Sequence, residues 1–85
     1  MHHYFFDIAD GDDRTLDDVG VDFANEDAAR THAASLLIEL ARDEIRVGEV
    51  GVLAVEVRSS TGQPMFYAAL HLQFSEGPSG RVASD

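Results

Sequence analysis

The chain has no cysteine, no lysine and no tryptophan, and only two prolines. Without cysteine there is neither a disulfide nor a thiolate metal site to staple the fold, which fits a cytoplasmic protein. Without lysine, six arginines stand alone against 16 carboxylates, for a formal net charge of −10. That balance argues against direct nucleic-acid binding, which needs clustered cations along a phosphate backbone. It argues equally against an anionic membrane surface. No apolar run approaches the 18 or so residues of a membrane-spanning helix. The opening lacks the basic-then-apolar pattern of a secretory signal. His2-His3 is too short a pair to read as the remnant of a tag.

What is present is one small domain. Eighty-five residues with 45% apolar side chains can build a core, although a chain of this size buries only about 60–65% of its unfolded surface. The acid is uneven: nine of the 16 carboxylates fall in residues 1–27, where only Arg14 offsets them. Asp10, Asp12, Asp13, Asp17 and Asp18 form an acidic surface around a turn. That surface serves solubility or a basic protein partner.

The segment His3 to Ile8 reads as a strand, with Tyr4, Phe6 and Ile8 on one face and His3, Phe5 and Asp7 on the other. Asp10-Gly11 is a hairpin turn, and Arg14 to Asp17 return as a short, charged edge strand. Gly20 bends the chain, and Val21 and Phe23 bring it back to the core. Asn25 caps a helix that opens on Glu26 and Asp27 and runs to about Arg46, with Gly48 just beyond. Gly51 to Ser59 is a third strand, with Leu53, Val55 and Val57 on one face. After a turn at 60–64, Met65 to Phe74 is the fourth.

The helix carries two apolar stripes. Ala29, Ala33, Leu36, Leu37 and Leu40 share one, which should cover the sheet. Ala34, Ile38, Ala41 and Ile45 share a second, which needs another cover. The predicted fold is α+β: a four-stranded antiparallel sheet, β-β-α-β-β with order 2-1-3-4, and one long helix on one face. Order 2-1-4-3 is the runner-up. The domain spans 1–74, and 75–85 is a glycine- and serine-rich flexible tail. The predicted core between helix and sheet includes Phe6, Leu36, Leu40, Val55 and Leu70.

Three stretches, YFFDIADGD, EDAARTHAASLLIELARDE and LAVEVRSSTGQPMF, together resemble a family of small bacterial proteins of unknown function. Its members open on a Tyr-Phe-Phe-Asp-Ile-like strand and an Asp-Gly turn. They continue through an Ala-Ala-Arg helix opening to a Val-x-Val-x-x-x-x-Gly-x-Pro hairpin. The resemblance covers about residues 4–74. It implies a single domain and a bacterial source, and it brings no catalytic or ligand residues with it.

Chemistry-bearing patterns are sparse. His2 and His3 point to opposite faces of a strand, and no H-x-x-x-H or H-E-x-x-H spacing occurs. A metal would need His3 and His71 to converge with Asp7. Placing Gly11 at the glycine of a calcium loop puts Phe6 and Ile8 where oxygens are required. Ser35 follows His32 by three residues on the polar arc of the helix, with no oxyanion site beside it. Gly48-Glu49-Val50-Gly51 is acidic and follows a helix instead of opening one, unlike a phosphate loop.

No catalytic, cofactor or metal residue is therefore assigned. The reading is a non-enzymatic protein-interaction module that forms a homodimer. Its interface candidates are the second helix stripe (Ala34, Ile38, Ala41, Ile45) and the helix-free sheet face (Phe5, Tyr67, His71). One alternative is an acidic mimic of nucleic acid that inhibits a basic protein, as phage-encoded anti-defence proteins do. The other is a ligand binder or small enzyme using the open sheet face.

Overall fold

The structure is a computed structural model that describes residues 1–44, 51–73 and 76–78. The elements are β1 (His2–Asp10), β2 (Asp13–Thr15), β3 (Val21–Phe23), α1 (Glu26–Glu44), β4 (Gly51–Ser59) and β5 (Pro64–Leu72). The fold is α+β, with one helix packed on an antiparallel sheet of five strands.

The expected four-strand count and order differ in detail. Along the sheet the order is β2-β1-β4-β5, and β3 joins as an additional strand on β1. β2 pairs with Ile8–Asp10, whereas β3 pairs with His2–Tyr4. Two three-residue strands thus share one edge of β1. A strand that short shows no alternation to read. β2 also ends earlier than expected, at Thr15, because Asp17 leaves the ladder and turns its carboxylate back toward β1.

The turns follow from their sequences. Gly11 has φ +59, and Asp10 pairs with Asp13 across it. That is the glycine-first geometry that suits the twist of a hairpin. Asn25 caps α1 through its Oδ1, which accepts from Ala28 N at 2.9 Å. Glu26 pairs with Arg30 one turn on.

The core lies between α1 and the central strands. Tyr4 and Phe6 of β1, Leu53, Val55 and Val57 of β4, and Ala29, Ala33, Leu37 and Ala41 of α1 are buried. The helix is therefore rotated from the expected setting. Ala41, assigned above to the free stripe, is in the core. Leu36 and Leu40, expected at its centre, are half-buried at its margin. The buried line repeats every four residues and is mostly alanine, which lets the helix axis come close to the sheet, while the larger leucines fill the flank. Leu70 is also a correction: it is 39% exposed, because it sits on the edge strand with one side open. Ile45, the helix end near Arg46, Gly48 and Phe74 lie outside the described residues, as does most of the expected tail.

Candidate functional site

The helix-free face of the sheet carries a row of polar side chains. Asp7, Glu56 and Tyr67 stand opposite one another on β1, β4 and β5. Two carboxylates directly across a ladder repel. Each is answered by its own arginine. Arg58 donates from Nε to Asp7 Oδ2 at 2.6 Å and from Nη2 to Asp7 Oδ1 at 2.9 Å. Arg14, from β2, pairs with Glu56. Arg58 also lies over the Phe5 ring, 4.9 Å from its centroid.

Asp7 is 3% exposed, although nothing in a strand of aromatics marks it as a core residue. Besides the guanidinium, it accepts from Asp17 N at 2.9 Å. Arg58 Nη2 also reaches Asp17 O at 3.0 Å. The Arg58 hydrogen bond holds the Asp7 carboxyl below the usual carboxylate range, against the opposing pull of burial. Arg58 is correspondingly raised by Asp7.

Asp17 was expected to be an exposed acid beside a turn. It is instead half-buried and bonded to the backbone. Its Oδ2 accepts from Phe6 N at 3.0 Å, and its Oδ1 accepts from Val19 N at 2.9 Å and Gly20 N at 3.1 Å. Burial pushes its carboxyl up, but these three N–H donors outweigh burial and the net shift is downward. Asp12, Asp13 and Asp18 are exposed as expected, and Asp10 is half-buried.

Both shifted carboxylates have the same linkage sign. A group held below its unfolded pKa of about 3.9 adds stability above that pH and loses it as pH falls through the folded value. Asp17→Asn should accordingly lower stability at neutral pH by about 1–2 kcal/mol, the cost of one lost capping acceptor. It should also flatten the loss of stability below about pH 4. Urea unfolding of both proteins between pH 2.5 and 7 measures this. An unchanged acid limb would show that Asp17 is not a source of it.

The histidines do not converge. His3 Nδ1 contacts Asp22 Oδ1 at 2.6 Å, and its Nε2 contacts Val19 O at 2.9 Å. The Asp22 contact, with the Val19 carbonyl second, raises its pKa. His71 is exposed and stands opposite Val52, at the far end of the sheet from His3. His32 is not a free surface imidazole. Its ring meets Phe6 and Phe23 at centroid distances of 4.8 and 5.2 Å. Among the described residues no group of three or more ligating side chains is placed to hold a metal ion.

Between the arginine pairs and the edge strand lies an open groove of about 620 Å³. Leu16, Pro64, Met65 and Tyr67 give it apolar walls, and the Arg14–Glu56 and Arg58–Asp7 pairs line it as well. Tyr67 is 70% exposed. Phe5, under Arg58, and His71, farther along β5, are not among the groove residues. Of the helix candidates, Ala34 and Ile38 are exposed and Ala41 is buried.

A family model for a domain of unknown function, DUF6894, matches residues 3–71. The chain belongs to this family. The DUF6894 segment takes in all six elements except the first residue of β1 and the last of β5, so the groove and both arginine pairs lie within it. No curated protein and no solved structure matches the chain. Among the described residues, no helix of the DUF6894 domain is long and apolar enough to cross a membrane.

Proposed function

We propose that this DUF6894 domain is a non-enzymatic protein-interaction module whose heterologous contact is the groove on the helix-free face. The observation that carries the reading is the groove's composition. In a chain of net charge −10, its walls are apolar and its four charged side chains are two closed ion pairs. Such a surface has no net charge to steer a charged ligand, and it offers Leu16 and Tyr67 to an uncharged, apolar side chain of a partner protein. The same pairing argues against catalysis. Acid–base chemistry needs a carboxyl raised toward neutrality, and Asp7 is held in the opposite direction. A bacterial cytoplasmic setting belongs to this reading; the lack of cysteine and the family resemblance support it. Self-association, the other half of the reading, is assigned to the outer edge of β5, which shares Met65 and Tyr67 with the groove but not Leu16.

The test is parallel affinity capture from the native host with the wild type and with Leu16→Glu. A partner retained at about 0.5 M salt by the wild type and lost with the variant supports the groove. Salt screens exposed charges, so a partner released by salt and still captured by Leu16→Glu would favour the acidic-mimic alternative. Capture unchanged by the variant at all salt concentrations would reject the groove as the contact.

A further inference from the structure

The two edges of the sheet are built differently. One is made of β2 and β3, three residues each, bearing Asp13, Arg14 and Asp22. Short, charged strands discourage edge-to-edge pairing. The other is β5, nine residues reading PMFYAALHL. No Asp, Glu, Lys or Arg occurs from Ser59 to Ser75, in a chain of which 26% is charged. Among the described residues, no strand pairs with the outer side of β5. A long, uncharged edge is a template for another strand.

The helix reinforces this on the same flank. Arg30 lies over the Phe66 ring of β5 at 4.4 Å, whereas His32 faces Phe6 and Phe23 on β1 and β3. At about 100° per residue, Ala34 and Ile38 lie just beyond Arg30, on the side away from His32. The exposed stripe therefore overhangs the open edge of β5, and Ile38 is 59% exposed there.

We propose that the outer edge of β5 pairs antiparallel with β5 of a second copy of this chain, and that the Ala34–Ile38 stripes of the two helices meet above the joined strands. This deepens the interaction-module reading and rests on it, through an edge that adjoins the groove but does not include Leu16. Three arguments select a second copy over a foreign strand. First, a chain of net charge −10 repels itself least where it carries no charge. Second, antiparallel pairing about Ala68 sets Phe66 against Leu70, Tyr67 against Ala69 and Met65 against His71 of the other copy, large against smaller on both faces. Third, the spacing fits. α1 sits over β4 and β5, about one strand spacing from the two-fold axis. Two such helices stand about 10 Å apart, close to the usual 8–10 Å of packed helices. The footprint is about 30 Å of strand by about 20 Å of sheet plus helix, or about 600 Å² per copy. That is near the low end of specific dimers.

Sedimentation of the full chain from about 10 µM to 1 mM tests this, with Ala69→Glu and Ile38→Glu as variants. Ala69 and Ile38 are exposed, so neither change should disturb the monomer, and circular dichroism verifies the fold. The expected result is a salt-insensitive dimer that Ala69→Glu weakens at least tenfold and Ile38→Glu also weakens. Amides of β5 should gain hydrogen-exchange protection as concentration rises. A wild type monomeric at 1 mM would overturn the inference, even if it still captures a partner through the groove. So would a dimer indifferent to Ala69→Glu, a dimer broken by Leu16→Glu alone, or β5 amides whose exchange does not change on dimerisation.

Discussion

Arg58→Ala should cost the domain about 3 kcal/mol, the low end of what breaking a buried ion pair costs. The cost arises at Asp7, which is 3% exposed and would keep only the Asp17 N–H as a strong partner. The low end applies because Arg58 keeps 28% of its side chain in solvent, so water can reach part of the vacated space. For a domain of this size that corresponds to a drop in melting temperature of roughly 12–24 °C. Replacing both partners, with Asp7→Leu and Arg58→Met, should recover part of the loss, since it leaves no orphaned charge but does remove the partners of the Asp17 N–H and carbonyl. Thermal and urea unfolding of the single and double variants measure both parts. A loss below about 1 kcal/mol for Arg58→Ala would mean that Asp7 is adequately solvated without it.

The second large effect is expected at Phe6. Its side chain is buried between β1 and α1, and its ring meets Phe23 at 6.0 Å and His32 at 4.8 Å, both edge-on. Phe6→Ala removes one of the two aromatic side chains buried in a thin core, and both of its aromatic contacts. The expected loss is about 3–5 kcal/mol, comparable with the whole margin of a small domain. Leu40→Ala, at a half-buried position, should cost clearly less. Urea titration of the two variants decides the order. If Leu40 proved the more costly, the helix would be seated on its leucines and not on its alanine line.

Much of the fold was legible because it rests on local chemistry. The bounds of β4 follow from strict alternation, the first turn from a glycine needed at positive φ, and the start of α1 from a side-chain oxygen at the cap. The exact rotation of the helix was not legible. Hydrophobicity favours Leu36 and Leu40 over alanines, whereas close approach of the backbone favours Ala29, Ala33 and Ala41. Only the distance to the sheet decides between them. β3 was missed because three residues carry no period.

The polar knot was partly within reach. Alternation already put Asp7 and Arg58 on the helix-free face of strands expected to be neighbours. Asp7 is the one acid that β1 puts there and Arg58 the one arginine of β4, and that was a pairing signal. Asp17 offered none, since its chemistry equals that of Asp18. What separates them is that β2 and β3 leave Phe5 to Asp7 without a strand partner on that side, and that only Asp17 stands over the gap.

That gap makes the segment between β2 and β3 a ruler. A single carboxylate takes the Phe6 amide on one side and the Val19 and Gly20 amides on the other. Gly20 itself has no room for a side chain, because a Cβ there would fall 2.3 Å from His3 Nε2 and 2.8 Å from Tyr4 O. Most surface connections absorb an inserted or deleted residue without complaint. This one is metered at both ends. One residue more or fewer between Thr15 and Val21 would move the carboxylate off the amide it serves or drive a side chain into β1. The stretch whose aspartates read in sequence as a solubilising acidic surface is one whose length the fold holds fixed.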